Sequence, residues 1–382
     1  DALRWRASSA WVMDDETPRA VVLATIGKRW GFGADGLAAM IDGVPHAPPP
    51  LSEAEKERID DADLGAAPDH VRGDIPEWLA PHFARSLGEG WVGEAEALAL
   101  RPPLDMRVNR LKADRDKVLK SLANFHAAET AISPDGLRIA ATEGDGRHPN
   151  VQVEPGFQRG LFEIQDEGSQ IAALMVGARP GEQVLDLCAG AGGKTLALAA
   201  GMMNRGQIQA TDSDRARLAP IFDRLKRAGT RNVQVRPAGV PLDDLEGRMD
   251  AVLIDAPCTG VGTWRRRPDA KWRLSERNLD DRTREQSALL SSSVRFLKPG
   301  GRLVYVTCSL LAEENDDRIA ALLAEGAGVS LVAPATAVER ALEPEVGTRL
   351  LAACRQTAHG VMLTPGKTGT DGFFVSVLER TG

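Results

Sequence analysis

Long apolar runs are absent from this sequence, and with them the commonest marks of a membrane protein. No stretch approaches the roughly 20 uninterrupted apolar residues that a membrane helix needs. The opening Asp1-Ala2-Leu3-Arg4-Trp5-Arg6 has no apolar signal-peptide centre and no initiator Met, which leaves room for residues before Asp1. Cysteine is scarce: four in 382 residues make no disulfide framework. No pair of them has zinc-finger spacing, so no metal site is expected. An excess of positive charge is missing too. The net charge of −7 argues against indiscriminate coating of nucleic acid, but local patches still decide phosphate contacts. What remains is a chain with 43% hydrophobic residues, enough for two or three domains. Free thiols place it most simply in a reducing cytoplasm, with no membrane partner.

Three stretches differ in character. Residues 1–95 read as a helical N-terminal segment, with a breaker at Pro48-Pro49-Pro50 and an acidic run at Asp60-Asp61-Ala62-Asp63. Residues 96–165 read as a small α+β module. Its strands are expected at 105–109 and 136–140, its helix at 114–125, and Arg107, Arg110 and Lys112 lie near its first strand. From 166 to 382 strands and helices alternate, which predicts a doubly wound, largely parallel sheet. Its strands are expected at 184–188, 207–211, 232–236, 251–255 and 302–307, with Lys298-Pro299-Gly300-Gly301 as a tight turn before the last. Leu218, Ile221, Phe222 and Leu225 share the spacing of one apolar helix face. Phe373–Leu378 is a β-prone run expected to complete the sheet.

After the first of these strands comes Asp186-Leu187-Cys188-Ala189-Gly190-Ala191-Gly192-Gly193-Lys194-Thr195, opening into an Ala/Leu-rich helix. Small residues let backbone approach a ligand, and the helix start offers free N–H groups. Such loops lie where open α/β sheets bind ligands, beyond the carboxyl ends of the strands. A P-loop would need Gly where Cys188 stands, and G-x-G-x-x-G would need Gly at Thr195. Asp212 closes the second strand about twenty residues on, where a carboxylate can hold both ribose hydroxyls; an Asx turn is the plainer use of such an Asp. Loop and acid together indicate a nucleoside cofactor without saying which.

Two cysteines then leave neighbouring strand ends on the same side as the loop. Cys258 stands in Asp255-Ala256-Pro257-Cys258-Thr259-Gly260-Val261-Gly262, and Cys308 in Tyr305-Val306-Thr307-Cys308-Ser309. Buried, inert cysteine is the usual state and suits Cys188 and Cys354. It suits Cys258 less well, because Pro257 and Gly260 mark an exposed turn. Between them runs Thr263-Trp264-Arg265-Arg266-Arg267-Pro268-Asp269-Ala270-Lys271-Trp272-Arg273. Its tryptophans could plug into a core. Its position directly after the strand favours RNA contact through Arg265, Arg266, Arg267 and Lys271.

The DAPC-T-G-x-G motif, the YVTCS motif, the GAGGKT loop and the closing Thr370-Asp371-Gly372-Phe373-Phe374 resemble the NOL1/NOP2/Sun family of RNA cytosine-C5 methyltransferases. The Trp264–Trp272 stretch is similar to its bacterial Fmu/Sun (RsmB-like) branch, which modifies small-subunit ribosomal RNA. The resemblance runs from about Arg107 to the C-terminus. It implies a Rossmann-like, S-adenosylmethionine-dependent catalytic domain, an RNA-binding α+β module, and a shortened NusB-like helical segment. It also implies that Cys308 is the nucleophile that adds to cytosine carbon 6. Cys258 would help release the product, and Asp255 would hold the N3 and amino edge of the base. Lys194 would lie between base and cofactor, and Cys188, Ala189, Gly190, Ala191, Gly192, Gly193, Lys194, Asp212 and Asp255 would surround the cofactor. The expected partner is RNA and the expected state a monomer. A DNA cytosine methyltransferase would use Cys258 for the bond instead, and a ribosome-assembly factor would bind RNA without chemistry. One departure stands out: many relatives place an acid after the third strand, whereas Val235-Arg236-Pro237-Ala238-Gly239-Val240 has none before Asp243.

Overall fold

The structure, a computed structural model, describes residues 1–142 and 146–382. The chain divides into two compact units, Asp1–Arg101 with Thr263–Leu274, and Pro102–Gly262 with Ser275–Gly382. Among the described residues no helix is long and apolar enough to cross a membrane.

The first unit is a cluster of short helices, among them Arg6–Met13, Pro18–Ala24, Gly33–Ile41, Glu53–Asp61, Ala80–Leu87 and Trp91–Ala99. Local chemistry sets their starts. Thr17 caps the helix that opens with Pro18, and Ser52 and Glu55 form a reciprocal capping box just after the Pro48-Pro49-Pro50 breaker. Val12, Met13, Leu23, Leu37 and Ile59 fill part of the interior. The basic stretch belongs to this unit. Trp264 is 1% exposed and stacks on Phe83 with ring centroids 5.9 Å apart. Lys271 Nζ donates to the Arg4 carbonyl at 2.6 Å, and the Trp272 indole N–H to the Leu3 carbonyl at 2.7 Å.

The second unit holds two sheets. Four antiparallel strands, β1 (Leu104–Val108), β2 (Ala128–Glu129), β3 (Gly136–Ile139) and β4 (Phe162–Ile164), lie in the order β2-β3-β1-β4. The larger sheet contains β5 (Gln183–Asp186), β6 (Gln207–Ala210), β7 (Val233–Val235), β8 (Met249–Asp255) and β9 (Leu297–Thr307). It continues through β10 (Val329–Leu331), β11 (Arg355–Gln356), β12 (Val361–Leu363) and β13 (Phe373–Arg380). Strands β5 to β9 pair in parallel, and β13 runs antiparallel to β9. The order β11-β12-β13-β9-β8-β5-β6-β7 puts the reversal of winding between β5 and β8.

Two expectations are amended here. The Lys298–Gly301 turn is a bulge inside β9, since β8 pairs Met249 with Leu297 and then Ala251 with Arg302. The apolar helix face between β6 and β7 is interrupted. Pro220 separates the helices Arg215–Leu218 and Ile221–Ala228, and Phe222 turns out to solvent at 60% exposure while Ile221 is buried.

Candidate active site

Four strand ends of the second unit supply the site. After β5 the chain runs through Leu187–Gly192 into the helix Gly193–Gly201. Gly192 has φ of +82°, and a Cβ there would stand 2.5 Å from Ile221 Cγ1, so both conformation and packing demand glycine. Arg224 donates to the Ala191 carbonyl at 2.8 Å. Asp212, beyond β6, is 2% exposed and accepts from the N–H of Gly190 and of Asp214, both at 2.9 Å. It therefore serves as the Asx turn and also braces the loop. A cleft of about 390 Å³ results, lined by Ser169, Cys188, Ala189, Gly190, Ala191, Gly193, Lys194, Arg217 and Asp255. Ser169 and Arg217 were not expected from sequence, because neither stands in the loop nor at a strand end.

Asp255 ends β8, and Lys194 Nζ lies 2.7 Å from its Oδ2. The lysine side chain is largely buried, with its ammonium 5.2 Å from the centre of the Phe373 ring, whereas Asp255 stays about one-third exposed to the cleft. The Lys194–Asp255 pair is thus held from one side and open on the other. Asp186 is fully enclosed. Burial pushes its carboxyl up to about 7, with the charges of Asp255 and Asp212 adding to the effect and Thr195 and Lys194 opposing it. Thr195 Oγ1 donates to Asp186 Oδ2 at 2.7 Å, and Oδ1 has no hydrogen-bond partner among the described residues.

The two thiols meet just past β8 and β9. Cys258 Sγ and Cys308 Sγ are 3.2 Å apart, and both residues are half-buried. Gly262 N–H donates to the Cys308 carbonyl at 2.9 Å, and Gly372 N–H to the Gly262 carbonyl at 2.8 Å. A side chain on Gly262 would run into the backbone of Gly372, so the Cys258 turn is pinned between β9 and the Thr370–Phe374 segment. The hydrogen bond to Cys308, followed by burial, raises the Cys258 thiol well above its ordinary value. Burial also raises Cys188, and it lifts Cys354 to about 11, which suits inert packing roles.

The family description 16S rRNA methyltransferase RsmB/F matches residues 173–379, more than half the chain. The chain belongs to that family. A second match, an RsmF/B-like ferredoxin-like domain, covers residues 75–143. The ribosomal RNA small subunit methyltransferase B of Enterobacter sp. (strain 638) is 33% identical over 309 residues, which is 80% of this chain and 66% of that protein. Its counterpart in Klebsiella pneumoniae subsp. pneumoniae is 36% identical over 265 residues, 68% of this chain and 60% of its own. The chain thus spans just under two thirds of the length of the curated relatives it matches. Among solved structures, a methyltransferase homologue from Pyrococcus horikoshii is 29% identical with a TM-score of 0.65, covering 82% of this chain and 97% of that one. The second unit accordingly has the Rossmann-like methyltransferase sheet of the RsmB/F family, with the cleft at its switch point.

The basic residues expected to meet RNA divide into two groups. Arg110, Arg266 and Arg267 are exposed. Arg107 is not: it lies under the cofactor loop, donating to the Gly193 carbonyl at 3.0 Å and to the Gln165 amide oxygen, and burial lowers it to about 10. Lys112 donates to the carbonyls of Arg159 and Arg227 at 2.8 and 2.6 Å. Arg265 is 4% exposed and Lys271 2% exposed, and burial lowers Lys271 to about 8. Arg107, Lys112 and Lys271 tie elements together within their own units. Arg107, Arg265 and Lys271 are too enclosed to reach a phosphate.

Proposed function

We propose that this chain methylates carbon 5 of cytosine in RNA, most specifically small-subunit ribosomal RNA, with S-adenosylmethionine as methyl donor. The observation that carries the reading is the meeting of Cys258 and Cys308 beyond β8 and β9, beside a cleft whose rim holds the Lys194–Asp255 pair. The cleft suits the donor: its floor is small residues and backbone, and Asp212 and Arg217 stand at the loop. When bound, S-adenosylmethionine supplies an electrophilic sulfonium methyl group.

The chain's own groups account for the rest. Carbon 5 of cytosine is a weak nucleophile until a thiolate adds to carbon 6. Cys308 forms that S–C6 bond. The ring electrons move toward carbon 5 as N3 takes up a proton held against the Asp255 carboxylate, which Lys194 orients. Before the addition, the Cys258 S–H steadies the Cys308 thiolate. Once Cys308 is bonded to carbon 6 and carbon 5 carries the methyl group, the Cys258 thiol passes its proton to solvent, and the resulting thiolate takes the carbon 5 proton. Loss of the carbon 5 proton restores the C5–C6 double bond and expels Cys308 as thiolate. The base must leave its stack to reach these groups, which favours single-stranded or flipped cytosine. One copy of the second unit holds every group named, so a monomer suffices, and free thiols suit the cytoplasm.

The test uses wild type, Cys308→Ala and Cys258→Ala with small-subunit rRNA and methyl-labelled donor. Methylation by wild type alone is expected, with no denaturant-stable protein–RNA adduct from Cys308→Ala and an accumulated adduct from Cys258→Ala. Methylation surviving in Cys308→Ala would overturn the assignment of the nucleophile.

A further inference from the structure

Glu314 is wholly buried, and no step above uses it. It follows β9, the strand that delivers Cys308, and the Tyr305 hydroxyl donates to its main-chain carbonyl at 2.8 Å. Its carboxylate faces the Cys258 turn. Oε1 accepts from the Thr259 N–H at 2.8 Å and from Gln286 Nε2 at 3.0 Å, and Oε2 accepts from the Thr259 hydroxyl at 2.5 Å. The same Gln286 nitrogen donates to the Pro257 carbonyl at 2.9 Å. Both neighbours of Cys258 are therefore tied to one carboxylate, Thr259 directly and Pro257 through an amide. An ionised carboxylate out of water costs several kcal/mol unless fully bonded, and a packed apolar side chain would fold at least as well. A charge retained here calls for a reason other than stability.

We propose that Glu314 is a positioning residue for the releasing thiol: through Thr259 and Gln286 it holds Cys258 at contact distance from Cys308. The inference rests on the reading of Cys258 given above. The charge of Glu314 works in the same direction as the geometry, since it adds to the effects that keep the Cys258 thiol protonated, after the Cys308 contact and burial.

The experiment compares wild type with Glu314→Ala, Glu314→Gln and Gln286→Leu. Without RNA, iodoacetamide labelling of each cysteine is followed by peptide mass spectrometry. Losing hydrogen bonds to a charged acceptor should speed labelling of Cys258 by about tenfold in Glu314→Ala, with Cys354 unchanged as the internal control. Glu314→Gln keeps one acceptor oxygen for the Thr259 N–H and Gln286, while its NH2 can donate to the Thr259 hydroxyl oxygen, so it should stay within about threefold of wild type. With RNA and donor, Glu314→Ala should accumulate adduct while still forming it at the wild-type rate, and Glu314→Gln should restore turnover. Gln286→Leu, which cuts only the Pro257 branch, should fall between and serves if the alanine variant does not fold. A folded Glu314→Ala whose Cys258 labels at the wild-type rate would overturn the clamp. Equal loss of adduct formation and release would make Glu314 merely structural. Absence of accumulated adduct in Cys258→Ala would instead overturn the releasing role of Cys258, with the labelling rates still deciding the clamp.

Discussion

Cys258 Sγ and Cys308 Sγ stand 3.2 Å apart although 50 residues separate them in the chain. The cause is register. β8 and β9 are parallel neighbours that pair Asp255 with Val306, so the residues just beyond both strand ends are brought together. A disulfide needs about 2.05 Å between sulfurs, so an approach of roughly 1 Å would join them.

Mild peroxide should therefore cross-link this pair. The Cys308 thiol is oxidised to a sulfenic acid with release of one water. The Cys258 thiol then displaces a second water to form the disulfide, so two thiols are oxidised as one peroxide is reduced. Thiol titration should fall from four groups to two and recover with dithiothreitol, and non-reducing peptide maps should show the 258–308 bridge. A sulfinic acid on Cys308 beside a free Cys258 would contradict the proximity.

Asp186 should make the second unit less stable as pH rises. Its carboxyl sits at about 7 in the fold, against 3.8 as its ordinary value. The folded state thus holds this proton more tightly than the unfolded chain. The resulting stabilisation is complete below about pH 4 and is lost as pH rises to about 7. Asn keeps the shape and does not ionise. Asp186→Asn should therefore gain stability relative to wild type between pH 5 and pH 8, by an amount on the order of a few kcal/mol at roughly 1.4 kcal/mol per pH unit. Urea unfolding without ligand at both values decides it; an equal difference at the two would contradict the buried-acid account.

Lys194→Met should separate orientation from binding. Methionine can still pack beside Phe373 but leaves Asp255 without its 2.7 Å partner. If the pair orients the base during proton transfer, kcat should fall by about 10² or more, the range usual for a positioned acid–base group. The Kd for RNA should stay within about twofold, because a partly buried internal pair adds little to phosphate contact. Single-turnover methylation and filter binding measure the two quantities. A weakened Kd with unchanged kcat would reassign Lys194 to RNA binding.

The cofactor loop and the Cys258 motif are readable from sequence because each is a strand end followed by glycine or proline, which sets backbone direction locally, and Cys308 is readable as the end of the β-prone run Arg302–Thr307. The rest depends on packing that is not local. β1 carries Asp105, Met106, Arg107 and Val108, all buried, so there is no in–out alternation to show that Arg107 faces inward. Phe222 fits a helical period that Pro220 interrupts, which rotates it to solvent. Glu314 lies in Glu313-Glu314-Asn315-Asp316-Asp317, where nothing in composition marks which acid is enclosed. The basic stretch is the instructive case. Its charge pattern suggests one surface, yet Trp264, Arg265 and Lys271 are enclosed while Arg266 and Arg267 are exposed.

That division gives the last prediction. Trp264 and Lys271 are enclosed within the first unit, Trp264 on Phe83 and Lys271 on the Arg4 carbonyl, whereas Arg266 and Arg267 are exposed. Truncating a buried indole costs about 3–5 kcal/mol, so Trp264→Ala should unfold the first unit at markedly lower denaturant. Arg267→Ala should leave the unfolding midpoint unchanged. If its guanidinium meets a phosphate, the slope of log K against log salt should become shallower by about 0.7–0.9, the counterion contribution of one contact. Arg266→Ala should shift the slope in the same sense. Lys271→Met removes a cation that burial already lowers to about 8, so its effect belongs with Trp264 rather than with the arginines. The measurement is RNA binding over a salt series alongside chemical unfolding of each variant. A slope that moves with Lys271 and not with Arg267 would mean that the exposed arginines of this stretch make no phosphate contact. RNA would then have to be held by other surfaces, Arg110 among them.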